Sequence, residues 1–117
     1  MAKTITIYHN PKCSASRQVL EMIEASGAKA NVVEYLKAGW TKPQLKKLFA
    51  DAGLTARQAL RTKAAEAEEL GLLEPKVSDA KLIDAMVAHP VLVERPFVVG
   101  AKGTLLARPK ERVREIL

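Results

Sequence analysis

The fold is decided by residues 4–36, which read TITIYHNPKCSASRQVLEMIEASGAKANVVEYL. Residues 4–8 alternate between apolar and polar as a half-buried strand does, and residues 31–36 form a second β-rich run. Between these runs the apolar residues recur at helical spacing, and Ser26-Gly27 supplies a helix end. We predict a strand–helix–strand unit with parallel strands and a right-handed connection.

The middle of the chain is helical in pattern. Thr41 is placed to cap a helix whose apolar residues repeat on one face and which Gly53 ends. Residues 55–61 and 64–70 each predict a short helix.

A stronger helix follows these short ones. Ser78 caps it and His89-Pro90 ends it, because the residue before a proline disfavours helical backbone. Its apolar spacing predicts an inward face made of Leu82, Ile83, Met86 and Val87.

The last part of the chain reads as a hairpin and a helix. Residues 96–99 and 104–107 are β-rich and flank Gly100-Ala101-Lys102-Gly103, which predicts an antiparallel pair. A final helix is expected after Pro109. The order βαβ, helices, ββα indicates one α/β domain over residues 1–117, since the chain is too short for two cores.

Composition excludes several classes of protein. The chain is 48% hydrophobic and 27% charged with a net charge of +6, which is ordinary for a soluble globular protein whose surface attracts anions. Its few aromatic residues do not lie among clustered lysines or arginines, so nucleic acid is not an expected partner. Because no long apolar stretch, secretory signal or exposed apolar stripe is visible, we expect a cytoplasmic monomer with no membrane partner.

The single cysteine is the best clue to function. Cys13 lies where the strand pattern stops and the helical pattern starts, and helix-terminal N–H groups with the helix dipole favour a thiolate there. A free cysteine is often a small buried hydrophobe, but the polar neighbours Lys12, Ser14 and Ser16 favour a reactive thiol. One cysteine forms neither an internal disulfide nor a zinc site, so any second thiol must come from another molecule.

Two further segments are candidates to support Cys13. His9 precedes it by four residues and can supply a cation or a hydrogen bond, or can equally cap the turn. Pro96 invites a cis peptide bond that would bring Arg95 beside the helix start, although a trans proline that begins an edge strand fits equally well. Arg17 lies too close to Cys13 for a phosphatase-type phosphate loop, and Ser16 excludes a dithiol motif.

Four segments together resemble the glutaredoxin-coupled arsenate reductase family. They are YHNPKC at 8–13, Leu60-Arg61, HPVLVERP at 89–96 and GTLLARP at 103–109. The resemblance runs from about Thr4 to the end of the chain. It implies a thioredoxin-like fold with a helical insertion, built on a mixed four-stranded sheet.

The resemblance also implies residue roles. Cys13 would attack arsenate, and the oxyanion would be bound by Arg61, Arg95 and Arg108. Guanidinium groups suit this task because they stay charged and offer forked donors. His9 would help to keep Cys13 ionised, and Asn10 would shape the loop.

The implied reaction is the reduction of arsenate to arsenite without a bound cofactor or metal. Cys13 forms a covalent adduct with arsenate, glutathione attacks the adduct as co-substrate, and a glutaredoxin thiol removes the glutathione. The chain departs from the family pattern at Ala67, where an aromatic residue is common, and we expect looser packing around Arg61.

Two other functions stay open at this point. Redox-responsive transcriptional regulators of the same fold bind RNA polymerase, but they usually carry a second cysteine where this chain has Ser16. A glutathione-dependent thiol oxidoreductase that acts on another oxyanion or on glutathionylated proteins would use the same arginines.

Overall fold

The computed structural model describes residues 3–117. The chain forms two compact units. The first comprises the described residues up to Ala38 together with Arg95–Leu117, and the second comprises Gly39–Glu94.

The first unit is built on a mixed four-stranded sheet. Its elements are β1 (Thr4–His9), α1 (Ser14–Ala25), β2 (Lys29–Glu34), the one-turn helix α2 (Tyr35–Ala38), β3 (Phe97–Gly100) and β4 (Gly103–Leu106). The strand order is β2-β1-β3-β4. Strand β1 runs parallel to β2 and antiparallel to β3, and β3 runs antiparallel to β4. This sheet confirms the predicted α/β class and the parallel βαβ unit.

The core of this unit follows from the alternation that the sequence displays. Ile5 and Ile7 of β1 are 1% and 0% exposed, and they pack in one cluster with apolar residues of α1, β3, β4 and the C-terminal segment. Each such buried side chain contributes on the order of 1.5–3 kcal/mol relative to an exposed one. Helix α1 ends where Gly27 takes a positive φ of 87°, a conformation that a glycine adopts without steric cost.

Several boundaries differ from the predictions. The second strand ends at Glu34 because the chain turns into α2 there, so Leu36 is helical and exposed instead of extended. The C-terminal helix is a 3-10 helix over Lys110–Ile116. The Arg95–Pro96 peptide is cis, which is one of the two alternatives considered, and Arg108–Pro109 is also cis, which no sequence signal indicated.

The second unit is helical. It contains α3 (Lys42–Ala52), α4 (Ala56–Ala59), α5 (Ala65–Glu69), α6 (Asp79–Ala88) and a 3-10 turn at Pro90–Leu92. Thr41 and Gln44 form a reciprocal capping box at the start of α3, and the helix ends at Gly53 with φ of 71°. Ser78 caps α6 by accepting a hydrogen bond from Lys81 N–H.

Packing of α6 corrects one predicted core residue. Helices α3 and α4 both pack against α6, and its buried residues are Leu82, Ile83 and Met86. Val87, predicted to face inward, is 36% exposed because it lies beside the buried stripe on the helix surface. In the described part of the chain, no helix combines the length and apolar character needed to cross a membrane.

Candidate active site

Cys13 is the N-cap residue of α1, at the turn that follows β1. Its backbone is extended, with φ of −94° and ψ of 119°. Its N–H donates to Asn10 O at 3.0 Å, and its carbonyl accepts from Arg17 N–H at 3.0 Å. The thiol is not part of a disulfide, and the residue is partly exposed. The strand-to-helix corner therefore presents a thiol that solvent can reach.

The surroundings of Cys13 lower its pKa. Burial acts to raise the pKa of the thiol, but the Ser16 N–H, the charge and hydrogen bond of the Arg95 guanidinium, and the Ala15 N–H outweigh it. These donors stabilise the thiolate, because Ala15 and Ser16 belong to the first turn of α1, where N–H groups lack partners within the helix. The nucleophilic thiolate is thus more populated at a given pH than it is for an unperturbed thiol.

This lowered pKa predicts the pH dependence of thiol reactivity. We expect the rate of Cys13 alkylation by iodoacetamide to have its midpoint below the value of about 8.5 for an unperturbed thiol. The rate should fall as the pH drops through that midpoint, because only the thiolate reacts. The same protein unfolded in urea is the control, and its midpoint should return to about 8.5. A folded-state midpoint at or above the unfolded one would contradict the prediction.

A buried hydroxyl organises the turn that carries Cys13. Ser16 is 0% exposed, and its Oγ accepts from Asn10 N–H at 3.1 Å and lies 2.7 Å from His9 Nδ1. The Asn10 side chain accepts from Lys12 N–H at 3.0 Å. Ser16 was considered as a polar neighbour of Cys13 and as the residue that excludes a dithiol motif, but its hydrogen bonds to Asn10 and His9 were not predicted.

His9 is largely buried and acts on the turn through Ser16. Burial is the main reason that the pKa of His9 is lowered, with a smaller opposing effect from Glu34 and a further decrease from Arg17. A lowered pKa favours the neutral imidazole at physiological pH. Of the alternatives considered for His9, the structure therefore favours a hydrogen-bonding role over that of a cation.

The Ser16 hydroxyl offers a test with a matched control. Ser16→Ala removes the partner of the Asn10 N–H and of the His9 ring, which should destabilise the fold by about 1–3 kcal/mol. Ser14→Ala, an exposed position in the same helical turn, should change stability by less than about 0.5 kcal/mol. Urea unfolding measures both changes. Equal stabilities of the two variants would contradict this role of Ser16.

The sheet register brings two of the predicted arginines to the Cys13 turn. Tyr8, near the end of β1, pairs with Phe97 at the start of β3, and Phe97 pairs with Leu106 at the end of β4. Arg95 precedes Phe97 by two residues and Arg108 follows Leu106 by two, so both lie at the same end of the sheet as the turn.

Contacts of the two arginines link them to each other and to the thiol. The Arg95 guanidinium hydrogen-bonds to Cys13, and Arg108 Nη1 donates to Arg95 O at 3.3 Å. Pro96 O accepts from Ala107 N–H at 2.9 Å, which ties the segment before β3 to the segment after β4. The first unit therefore combines a thiol of lowered pKa with two guanidinium groups at the same end of the sheet.

Arg61 belongs to the second unit. Its N–H donates to Leu92 O at 2.8 Å, next to an isolated bridge between Leu60 and Val93. Its Nε is buried and has no hydrogen-bond partner among residues 3–117. Ala67, the departure from the family pattern, is fully buried. The role of Arg61 as an oxyanion ligand stays a prediction.

Two grooves border the Cys13 turn. The larger, of about 480 Å³, is lined by residues of α1 and of the segment 107–111. The smaller, of about 220 Å³, is lined by residues 10–12 and by residues around α2. Within residues 3–117 no three His, Cys, Asp or Glu side chains are grouped so that they could hold a metal ion.

Comparisons with known proteins agree with this geometry. The model of the ArsC family matches residues 8–116. The arsenate reductase ArsI2 of Synechocystis is 57% identical over 97% of this chain and 81% of its own length. An arsenate reductase of Escherichia coli K12 is 50% identical over 97% of this chain and 80% of its length. The structure of an arsenate reductase from Vibrio cholerae covers all of both chains at 41% identity, with a TM-score of 0.94.

Proposed function

Because this chain belongs to the ArsC family, we propose that it reduces arsenate to arsenite with Cys13 as the nucleophile. The observation that carries the proposal is the Cys13 thiol, whose pKa is lowered at a helix start beside the Arg95 guanidinium. An oxyanion and a thiolate repel each other, so a site that joins them needs cations that do not lose their protons. Arg95 and Arg108 meet this need in the first unit.

Substrate binding would rest on guanidinium forks. Arg95 and Arg108 are linked by a hydrogen bond at one end of the sheet, where their donors can converge on the oxygens of one anion. Arg61 would be the third ligand by family resemblance.

The first chemical step would be substitution at arsenic. The Cys13 thiolate forms a sulfur–arsenic bond while one arsenate hydroxyl takes up a proton and leaves as water. The negative charge that develops on the remaining oxygens would be stabilised by the arginines. Arsenic is still pentavalent in this adduct, so the step is not yet a reduction.

The reductive steps need two thiols from other molecules, since the chain has one cysteine. Glutathione replaces a second hydroxyl, which leaves as water. A glutaredoxin thiolate then attacks the glutathione sulfur, and the sulfur–arsenic electron pair stays on arsenic. Two thiols are thereby oxidised to a mixed disulfide and arsenic is reduced by two electrons. Water finally cleaves the Cys13–arsenic bond and releases arsenite.

The single free cysteine also bears on the cellular compartment and the partners of the protein. Free-thiol chemistry of this kind belongs to a reducing compartment, which supports a cytoplasmic location. We propose a monomer that has no resident cofactor and uses arsenate, glutathione and glutaredoxin. No nucleic-acid or membrane partner is part of the proposal. The residue at the position typical of a regulatory second cysteine is Ser16, whose hydroxyl is buried and engaged, so a redox-regulator role has less support.

A coupled assay tests the proposed reaction. Purified protein is supplied with glutathione, a glutaredoxin, glutathione reductase and NADPH, and NADPH oxidation is followed as arsenate is added. We expect oxidation in proportion to arsenate and no oxidation with phosphate, which has the same charge and shape but is not reduced. Turnover on a glutathione mixed disulfide without any response to arsenate would favour a thiol oxidoreductase instead.

A further inference from the structure

The larger groove beside Cys13 has walls from two elements. One wall comes from α1, including Ala15 and Gln18, and the other comes from residues 107–111, including Arg108 and Lys110. Lys110 Nζ donates to Gln18 Oε1 at 2.7 Å, which links the two walls. Its volume of about 480 Å³ lies within the roughly 300–1,000 Å³ of pockets that bury small ligands.

Each wall of the groove includes a residue that is linked to Cys13 by hydrogen bonds. The Ala15 N–H helps to lower the pKa of Cys13, so one wall begins at a group that already interacts with the thiol. Arg108 on the other wall donates to the backbone of Arg95, whose guanidinium hydrogen-bonds to Cys13. A ligand in the groove would therefore contact Ala15, which interacts with the thiol directly, and Arg108, which is linked to it through Arg95.

The polar groups of the groove have a distinctive pattern of charge. Arg108 and Lys110 are cations, Glu111 is an anion, and Gln18 offers an amide. Glutathione carries two carboxylates and one ammonium group at neutral pH, with peptide groups between them. The groove is complementary to this pattern, whereas the Glu111 carboxylate would repel an inorganic anion.

We infer that this groove is the site where glutathione binds to resolve the Cys13 adduct, an inference that rests on the proposed function. Lys110 binds a glutathione carboxylate, Glu111 binds the ammonium group, and Gln18 binds a peptide group. The glutathione sulfur then displaces a hydroxyl from arsenic as water, and glutaredoxin later removes that sulfur as a mixed disulfide, leaving the electron pair on arsenic. Lys110 and Glu111 are thus binding residues for the co-substrate and not for arsenate.

Two variants and one matched control test the site. Lys110→Ala and Glu111→Lys should each raise the KM for glutathione by about 5- to 10-fold. The KM for arsenate should not change. Lys37→Ala, which removes a lysine in the smaller groove, should leave both values unchanged. Unchanged KM for glutathione in Lys110→Ala and Glu111→Lys would overturn the inference, as would an increase in the KM for glutaredoxin alone.

A binding measurement separates this inference from the proposed reaction. S-methylglutathione lacks a free thiol, so titrating it into the protein by calorimetry reports the groove without turnover. We expect binding to the native chain and to Lys37→Ala, weakened by about 5- to 10-fold in Lys110→Ala. Equal affinities in all three proteins would overturn the site even if arsenate is reduced. Groove-dependent binding without arsenate turnover would support the site and count against the proposed function.

Discussion

Cys13→Ser is expected to abolish arsenate-dependent turnover in the coupled assay, with a loss on the order of 10³-fold or more. A serine hydroxyl stays protonated in the surroundings that lower the pKa of the Cys13 thiol, so the same N–H groups and Arg95 no longer act on a nucleophilic anion. The chain has no second cysteine to take over the role. NADPH oxidation with and without arsenate measures the effect.

Position as well as chemistry should matter for this thiol. Cys13→Ser combined with Ser14→Cys keeps one cysteine but moves it from the N-cap into the helix, away from the place where Ala15 and Ser16 lower its pKa. We expect this double variant to be inactive and to fold like the native chain, as judged by circular dichroism. Activity in Cys13→Ser would mean that Cys13 is not the nucleophile, and activity in the double variant would mean that the N-cap position is not required.

Arg95→Ala has the second largest expected effect, a decrease of about 10²–10³-fold in turnover on arsenate. The guanidinium acts twice, because it lowers the pKa of Cys13 and supplies a charged donor next to the sulfur. In this variant the pKa of the Cys13 thiol should therefore be higher, and iodoacetamide should alkylate Cys13 more slowly at neutral pH. A loss of turnover without any change in alkylation would show that Arg95 does not act on the thiol.

Two controls separate the roles of Arg95. Arg95→Lys keeps the charge but not the forked geometry, so it should recover thiol reactivity more fully than turnover. Arg114→Ala removes an exposed arginine of the C-terminal 3-10 helix and should leave both unchanged. If Arg95→Ala fails to fold while Arg114→Ala folds normally, Arg95 is a structural residue and the oxyanion role loses its support.

Much of the fold is readable in local patterns. The alternation in β1, the Thr41 cap and the glycine after α3 are short-range signals, and β1 and α3 lie where these patterns predict them. The predictions of side-chain burial and helix type were wrong where tertiary packing decides between similar local structures. The packing of α6 leaves the apolar side chain of Val87 36% exposed, and the C-terminal segment winds as a 3-10 helix instead of an α-helix.

The sequence by itself located the candidate nucleophile, because a cysteine at a strand-to-helix junction meets N–H groups of its own helix. It also determined the βαβ start of the sheet, since strand and helix periods are local properties. Only the tertiary structure decided that Arg95 lies beside Cys13 and that His9 pairs with the buried Ser16 hydroxyl. The Arg95–Cys13 contact depends on the register between β1 and β3, which pairs distant segments and which no local pattern encodes. The His9–Ser16 contact depends on how the first turn of α1 packs against the end of β1.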